Sequence, residues 1–217
     1  MMLKILDILK QGVRKAYDDR NREGVHVSDL VLCIRKSVLN RLDPQPLTDI
    51  DIRNFNQGLS HHHTTQQLAK EIVAESEHPT SVEVEKSVKE FGVLAHVDLV
   101  INGIPVEIKT TRSAKAAPSD HYYTQLRYYM VMLGQKFGKI LVESYNAKEN
   151  PWSETDVELT DDEMEMHKNN LIRDRDNFNL ALEKKDWKLA SHVKNDKRKV
   201  FMCMRCPYKT RCYDIDD

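Results

Sequence analysis

Apolar residues at helical spacing open the chain. Leu3, Leu6, Leu9, Val13 and Tyr17 predict an amphipathic helix that Gly24 ends. Ser28 is the candidate N-cap of a second helix, from Asp29 to Leu42, with Cys33 in its middle and Asp43-Pro44-Gln45-Pro46 as its stop. A third helix is predicted from about Asp49 to Ser76, with Ile52, Phe55, Leu59, His62, Ala69 and Ile72 or Val73 on one face. The period then falls from 3.6 to 2. Val82, Val84 and Val88 alternate with polar residues, and Val93, Ala95, Val97, Leu99 and Ile101 alternate more strictly. Asn102-Gly103 is a strong two-residue hairpin signal, and Ile104, Val106 and Ile108 return from it. A helix from about Ser119 to Lys136 and the apolar strand Ile140-Leu141-Val142 complete a β–α–β order, which implies a mixed sheet with a crossover helix. Thr160-Asp161-Asp162-Glu163 reads as a capping box that starts a long charged helix to about Lys185.

The hairpin carries the candidate chemistry. With a two-residue turn, Ile101 faces Ile104, so Asp98 faces Glu107 and His96 faces Lys109. Opposed Cβ atoms lie about 4.5–5.5 Å apart, and two carboxylates at that distance repel. A divalent cation such as Mg²⁺ or Mn²⁺ answers the repulsion, because it prefers carboxylate oxygens. Lys109, on the same face, is suited to orient a water or offset transition-state charge.

Composition limits the partners. The 217 residues hold 33 Lys and Arg against 34 Asp and Glu, a net charge of −1, so no overall basic charge announces nucleic acid. The charge is unevenly spread: Glu154 to Glu165 holds seven acidic residues and no basic one, whereas Lys184 to Arg211 holds ten basic residues and two Asp. The seven glycines form no phosphate loop, which disfavours ATPases and dinucleotide enzymes. No apolar run approaches the ~20 residues of a membrane span and no signal-peptide core opens the chain, so a cytoplasmic protein with no membrane partner is expected.

Cys33, Cys203, Cys206 and Cys212 are the whole thiol inventory, three of them as Cys-x2-Cys-x5-Cys. In a reducing compartment this spacing suits a metal centre more than disulfides. Zinc and an iron–sulfur cluster both accept four thiolates; the single upstream ligand favours the cluster. Either metal would staple the N-terminal helices to the C-terminal tail.

The order Ser28-x4-Cys33-x-Arg35, Gly58-x3-His62, Asp98-x8-Glu107-x-Lys109, Gln125-x3-Tyr129 and Cys203-x2-Cys206-x5-Cys212 resembles the RecB-like nucleases of the PD-(D/E)xK superfamily. More narrowly, it resembles the CRISPR-associated exonuclease branch with an iron–sulfur cluster. The resemblance implies an α/β fold with a restriction-endonuclease-like core, a mixed sheet flanked by helices. It implies one nuclease domain over 1–217, with a helical part (1–78), a sheet with its crossover helix (79–150) and a cysteine-rich end (151–217). It assigns Mn²⁺ or Mg²⁺ to His62, Asp98, Glu107 and the Ile108 carbonyl, catalysis to Lys109, and a DNA-lining helix to Gln125 and Tyr129. The four cysteines would hold a [4Fe–4S] or [2Fe–2S] cluster. Implied partners are single-stranded DNA ends and the CRISPR integrase, with self-association allowed; a stand-alone viral or repair nuclease and a non-catalytic cluster protein are the alternatives.

Overall fold

The computed structural model describes residues 23–74, 81–193 and 200–213. The predicted first helix lies outside the described residues.

Six strands form one mixed sheet. Strand β1 (Val25–His26) runs straight into helix α1 (Val27–Leu30), followed by α2 (Ile34–Leu42) and α3 (Asp49–Ala74). Strands β2 (Val82–Glu90), β3 (Val93–Ile101) and β4 (Ile104–Thr111) follow, then α4 (Asp120–Leu133), β5 (Phe137–Ser144), β6 (Trp152–Glu158) and α5 (Asp161–Glu183). Two 3₁₀ turns (Trp187–Leu189 and Val200–Arg205) lead to α6 (Lys209–Tyr213). The order is β1-β3-β4-β5-β6, with β2 on β3 as well. The β1–β3 and β4–β5 pairs are parallel and the others antiparallel. A mixed sheet flanked by helices is the expected architecture. Among the described residues no helix is long and apolar enough to cross a membrane.

Three local features differ from the sequence reading. The helix expected from Asp29 to Leu42 is two helices, and Cys33 is the N-cap of the second, not a mid-helix residue. The break has a visible cause: the Arg35 N–H that would continue the helix donates to the Ser191 carbonyl at 2.9 Å. Ser28 is not the cap either; the first helix starts at Val27, where the Asp29 carboxylate accepts the His26 N–H at 3.1 Å and Arg41 at 2.7 Å. Lastly, β6 was not anticipated, because the acidic run hides it. It is an edge strand whose outward Glu154 and Asp156 bond Lys139 of β5.

Two glycines act through their backbone. Asn102 and Gly103 both have positive φ (50° and 83°), as a type I′ turn requires, and Ile101 faces Ile104 as predicted. Gly138 of β5 lies beneath α4: a Cβ there would stand 2.9 Å from Met130 Sδ and 3.0 Å from Leu126 Cδ1. Even a methyl group there would push against the Met130 and Leu126 side chains, which would have to shift.

That helix defines the face that matters. Glu107 and Lys109 lie beside Ile140 and Val142 in the parallel register, so all four share one face. Ile140 and Val142 pack with Leu126 and Met130 of α4. Val106, Ile108 and Leu141 point the other way, in a cluster with Leu99. Helix α3 packs across β2, β3 and β4.

Candidate active site and cysteine pocket

The β3–β4 ladder stops early. It joins Ile101 to Ile104, Val100 to Pro105 and Leu99 to Val106, and there it ends. Beyond that point β3 turns to β1, at Val93 and Leu94, while β4 turns to β5. The strands split like a V, and Asp98 and Glu107 stand at its mouth instead of forming the next rung that the register implied. The Asp98 carboxylate spans the gap, accepting the Ile108 N–H at 2.8 Å. In extended backbone the N–H and C=O of one residue point to the same side, so the Ile108 carbonyl faces the split as well. His96 does not meet Lys109; it stacks on His26, with ring centroids 5.6 Å apart, and bonds Ser87 at 3.1 Å.

Glu107 is completely buried, and its carboxylate forms an ion pair with the Lys109 ammonium. Burial alone would depress the Lys109 ammonium, but the carboxylates of Glu107 and Asp98 outweigh it and hold the group above its ordinary value. Lys109 is therefore charged at neutral pH. Its ammonium also lies 5.7 Å from the ring centre of Tyr122, at the start of α4. Tyr129, two turns further along α4, is buried; its hydroxyl accepts the Gln125 amide at 2.7 Å. Burial, reinforced by Glu107 and Asp98, pushes its phenol well above the ordinary range. Tyr129 thus sits beneath the carboxylates, while Gln125 is half-buried.

Helix α3 closes the site. Gln66, only 3 % exposed, donates to the Asp98 carbonyl at 3.2 Å. His62 is one turn earlier on that helix; its side chain lies outside the described residues. At the end of β4, Arg112 donates to Asn54 and Gln57 of α3 at 3.0 and 2.7 Å. Sequence reasoning missed Gln66 and Tyr122. Gln66 had one signal, its position four residues after His62 on a predicted helix face.

The cysteines meet elsewhere. Cys33, Cys203, Cys206 and Cys212 are half-buried free thiols lining one pocket, with Arg35, Lys36 and Lys209. Burial raises the thiols of Cys33 and Cys206. Among the described residues, no three His, Cys, Asp or Glu side chains converge closely enough to form a ready metal cage, here or at the strand split. Of the basic residues from Lys184 to Arg211, Lys194, Lys197, Arg198 and Lys199 lie outside the described residues, as does the Arg205 side chain. Arg211 is paired with Asp43 at 2.6 Å.

Solved structures resemble the fold. SSO0001 aligns at a TM-score of 0.62 and 17 % identity, over 97 % of this chain and 96 % of that one. An alkaline exonuclease from Laribacter hongkongensis aligns at 0.52 and 13 %, over 76 % and 92 %. A phage-related exonuclease from Haemophilus somnus 129PT aligns at 0.51 and 7 %, over 78 % and 99 %. At such identities the likeness speaks for the fold alone. No curated protein matches the chain. Residues 19–213 match the PD-(D/E)XK nuclease superfamily, a span that includes Asp98, Glu107 and Lys109. The chain belongs to the PD-(D/E)XK nuclease superfamily.

Proposed function

We propose that the chain is a metal-dependent deoxyribonuclease that degrades DNA, mainly single strands, from its ends. One observation carries this reading: Glu107 is fully buried as a charge, paired with Lys109, beside Asp98. A buried ion pair gains little or nothing over apolar residues of the same volume, so stability gives no reason to keep it. Hydrolysis of a phosphodiester does.

Superfamily members generally use Mg²⁺ or Mn²⁺. Here Asp98, Glu107, the Ile108 carbonyl and His62 would hold the cation, a set of hard oxygens with one imidazole. When bound, such an ion polarises the scissile phosphate and lowers the pKa of its water. Lys109 donates from its ammonium to the phosphoryl oxygens or the attacking water, and Glu107 aims it. Tyr129, a neutral phenol beneath the carboxylates, is a positioning residue held by Gln125. DNA is supported as substrate by the superfamily and by the names of the structural neighbours, one of which was also solved with dAMP.

The four cysteines would hold an iron–sulfur cluster, [4Fe–4S] in preference to [2Fe–2S]. The donor set fits: four thiols, the entire inventory, line one pocket among cationic side chains. The resemblance to the CRISPR-associated branch further suggests spacer trimming beside the integrase, inside the cytoplasm. The decisive experiment incubates end-labelled single-stranded DNA with the protein and Mn²⁺. Degradation is expected, and Asp98→Ala or Lys109→Ala should slow it by about 10²-fold or more. Unchanged rates in both variants would refute the site.

A further inference from the structure

We infer that Arg35 is the internal counter-cation of the cysteine pocket, a positioning residue whose guanidinium, aimed at the Cys212 sulfur, holds the cluster's reduction potential up. The inference rests on the iron–sulfur reading above and concerns a residue that takes no part in hydrolysis.

The argument begins from charge balance. Arg35 is 9 % exposed. Its Nε donates to the Ala190 carbonyl at 3.0 Å and one terminal nitrogen to the Lys188 carbonyl at 2.9 Å. Its other terminal nitrogen points at Cys212 Sγ, 3.7 Å away. Below lies the Trp187 ring, 5.5 Å from the guanidinium carbon. No carboxylate touches it among the described residues. The neighbouring arginines differ: Arg41 has Asp29 at 2.7 Å and Arg211 has Asp43 at 2.6 Å. A buried guanidinium cannot shed its proton, and carbonyls supply no full negative charge. Of the atoms it touches among the described residues, only the sulfur of Cys212 is a candidate cluster ligand.

The sequence explains why the group is held so firmly. The Arg35 N–H is bound to Ser191, which breaks the helix and makes Cys33 an N-cap. One residue therefore presents Cys33 through its backbone and Cys212 through its side chain. These are the first and last thiols of the set, from opposite ends of the chain. Lys36 and Lys209 add charge around the pocket. Four thiolates on an iron–sulfur core leave a net negative centre, and adding an electron makes it more so. A fixed positive charge with an N–H aimed at a ligand sulfur favours the reduced state.

Anaerobically purified wild type, Arg35→Gln and Arg35→Lys are compared by iron and sulfide content, then by redox titration followed through visible absorbance and electron paramagnetic resonance. Arg35→Gln should shift the midpoint to more negative potential, by a tenfold change in the reduced-to-oxidised ratio or more, about 59 mV for one electron. Arg35→Lys keeps the charge and should lie between. If Arg35→Gln loses its iron while Arg35→Lys keeps it, the charge is again responsible. Equal midpoints in all three proteins at full iron content overturn the inference and leave the cluster standing. Equal loss of iron and of melting temperature in both variants reduces Arg35 to a scaffold and overturns it too. A wild type that carries zinc and no iron overturns the cluster reading itself, and this inference with it.

Discussion

The strand split and the cysteine pocket both gather chemistry-bearing side chains, but they are assembled in opposite ways. Asp98, Glu107 and Lys109 lie within one hairpin, closed by the Asn102-Gly103 turn. Their charges answer one another: the ammonium of Lys109 holds Glu107, and the Ile108 N–H holds Asp98. The pocket draws Cys33 from a helix break and three thiols from the far end of the chain. Its cation, the Arg35 guanidinium, reaches a thiol and two carbonyls and, among the described residues, no acid. The first site holds its own cation against its carboxylates. The second sets a buried guanidinium beside a thiol, and under the proposed cluster reading metal and fold would be coupled there.

Stripping metal is the strongest way to break this comparison. A chelator strong enough to empty the pocket, or Cys206→Ser, should destabilise the protein by several kcal/mol and expose residues 200–213 to protease. The measurement is a melting curve with limited proteolysis, before and after chelation. Unchanged melting would mean that the pocket, like the split, closes unaided.

The reverse test addresses the ion pair. Lys109→Met leaves Glu107 fully buried without the Lys109 ammonium, and should cost about 3 kcal/mol in denaturant melts. Adding Glu107→Leu should recover most of that loss while both proteins stay inactive. A double variant no more stable than the single one would show that the pair serves the fold, not the chemistry.

The same contrast decides what the sequence could reveal. The hairpin was legible because Asn102-Gly103 specifies the turn locally, and α5 because Thr160 and Glu163 cap each other within one turn. The split was not. Register arithmetic carries a ladder on indefinitely, and only the competing pairings of β3 with β1 and β4 with β5 end it at Leu99. The four cysteines were readable as one set from their spacing. The break that presents Cys33 was hidden, because Val31, Ile34 and Val38 keep helical spacing across it while its cause, the Ser191 carbonyl, is remote in sequence. Gln66 looks like any polar helix residue until its bond to Asp98 is seen.

Gln66 also supplies a finer test of how rigidly the split is held. Gln66→Leu removes a buried bond to the Asp98 carbonyl and should cost about 1–2 kcal/mol. DNA degradation should fall about tenfold in labelled-strand assays, since Asp98 is then held by fewer contacts. Gln67→Leu, on the exposed side of the same helix, should stay within about 0.5 kcal/mol of wild type. Equal effects would mean that α3 supports the site only by packing.

The smallest effect is a slope. Burial, with Glu107 and Asp98 nearby, keeps the Tyr129 phenol protonated in the folded protein far above the pH at which it ionises in the unfolded chain, about 10. Lys109 is held up in the same direction by its carboxylates, against burial. Above about pH 10 the unfolded state therefore binds fewer protons than the folded one, and stability falls as pH rises. Each such group contributes up to about 1.36 kcal/mol per pH unit. Below that range both groups are protonated in both states and the slope vanishes. Tyr129→Phe should flatten the alkaline limb by one group's share, measured as unfolding free energy between pH 9 and 11. It should also lose about 1 kcal/mol at every pH, from the Gln125 bond. An alkaline limb as steep as that of wild type would mean that Tyr129 reaches water and that the floor of the split is open. The strand site would then be no better sealed than the cysteine pocket.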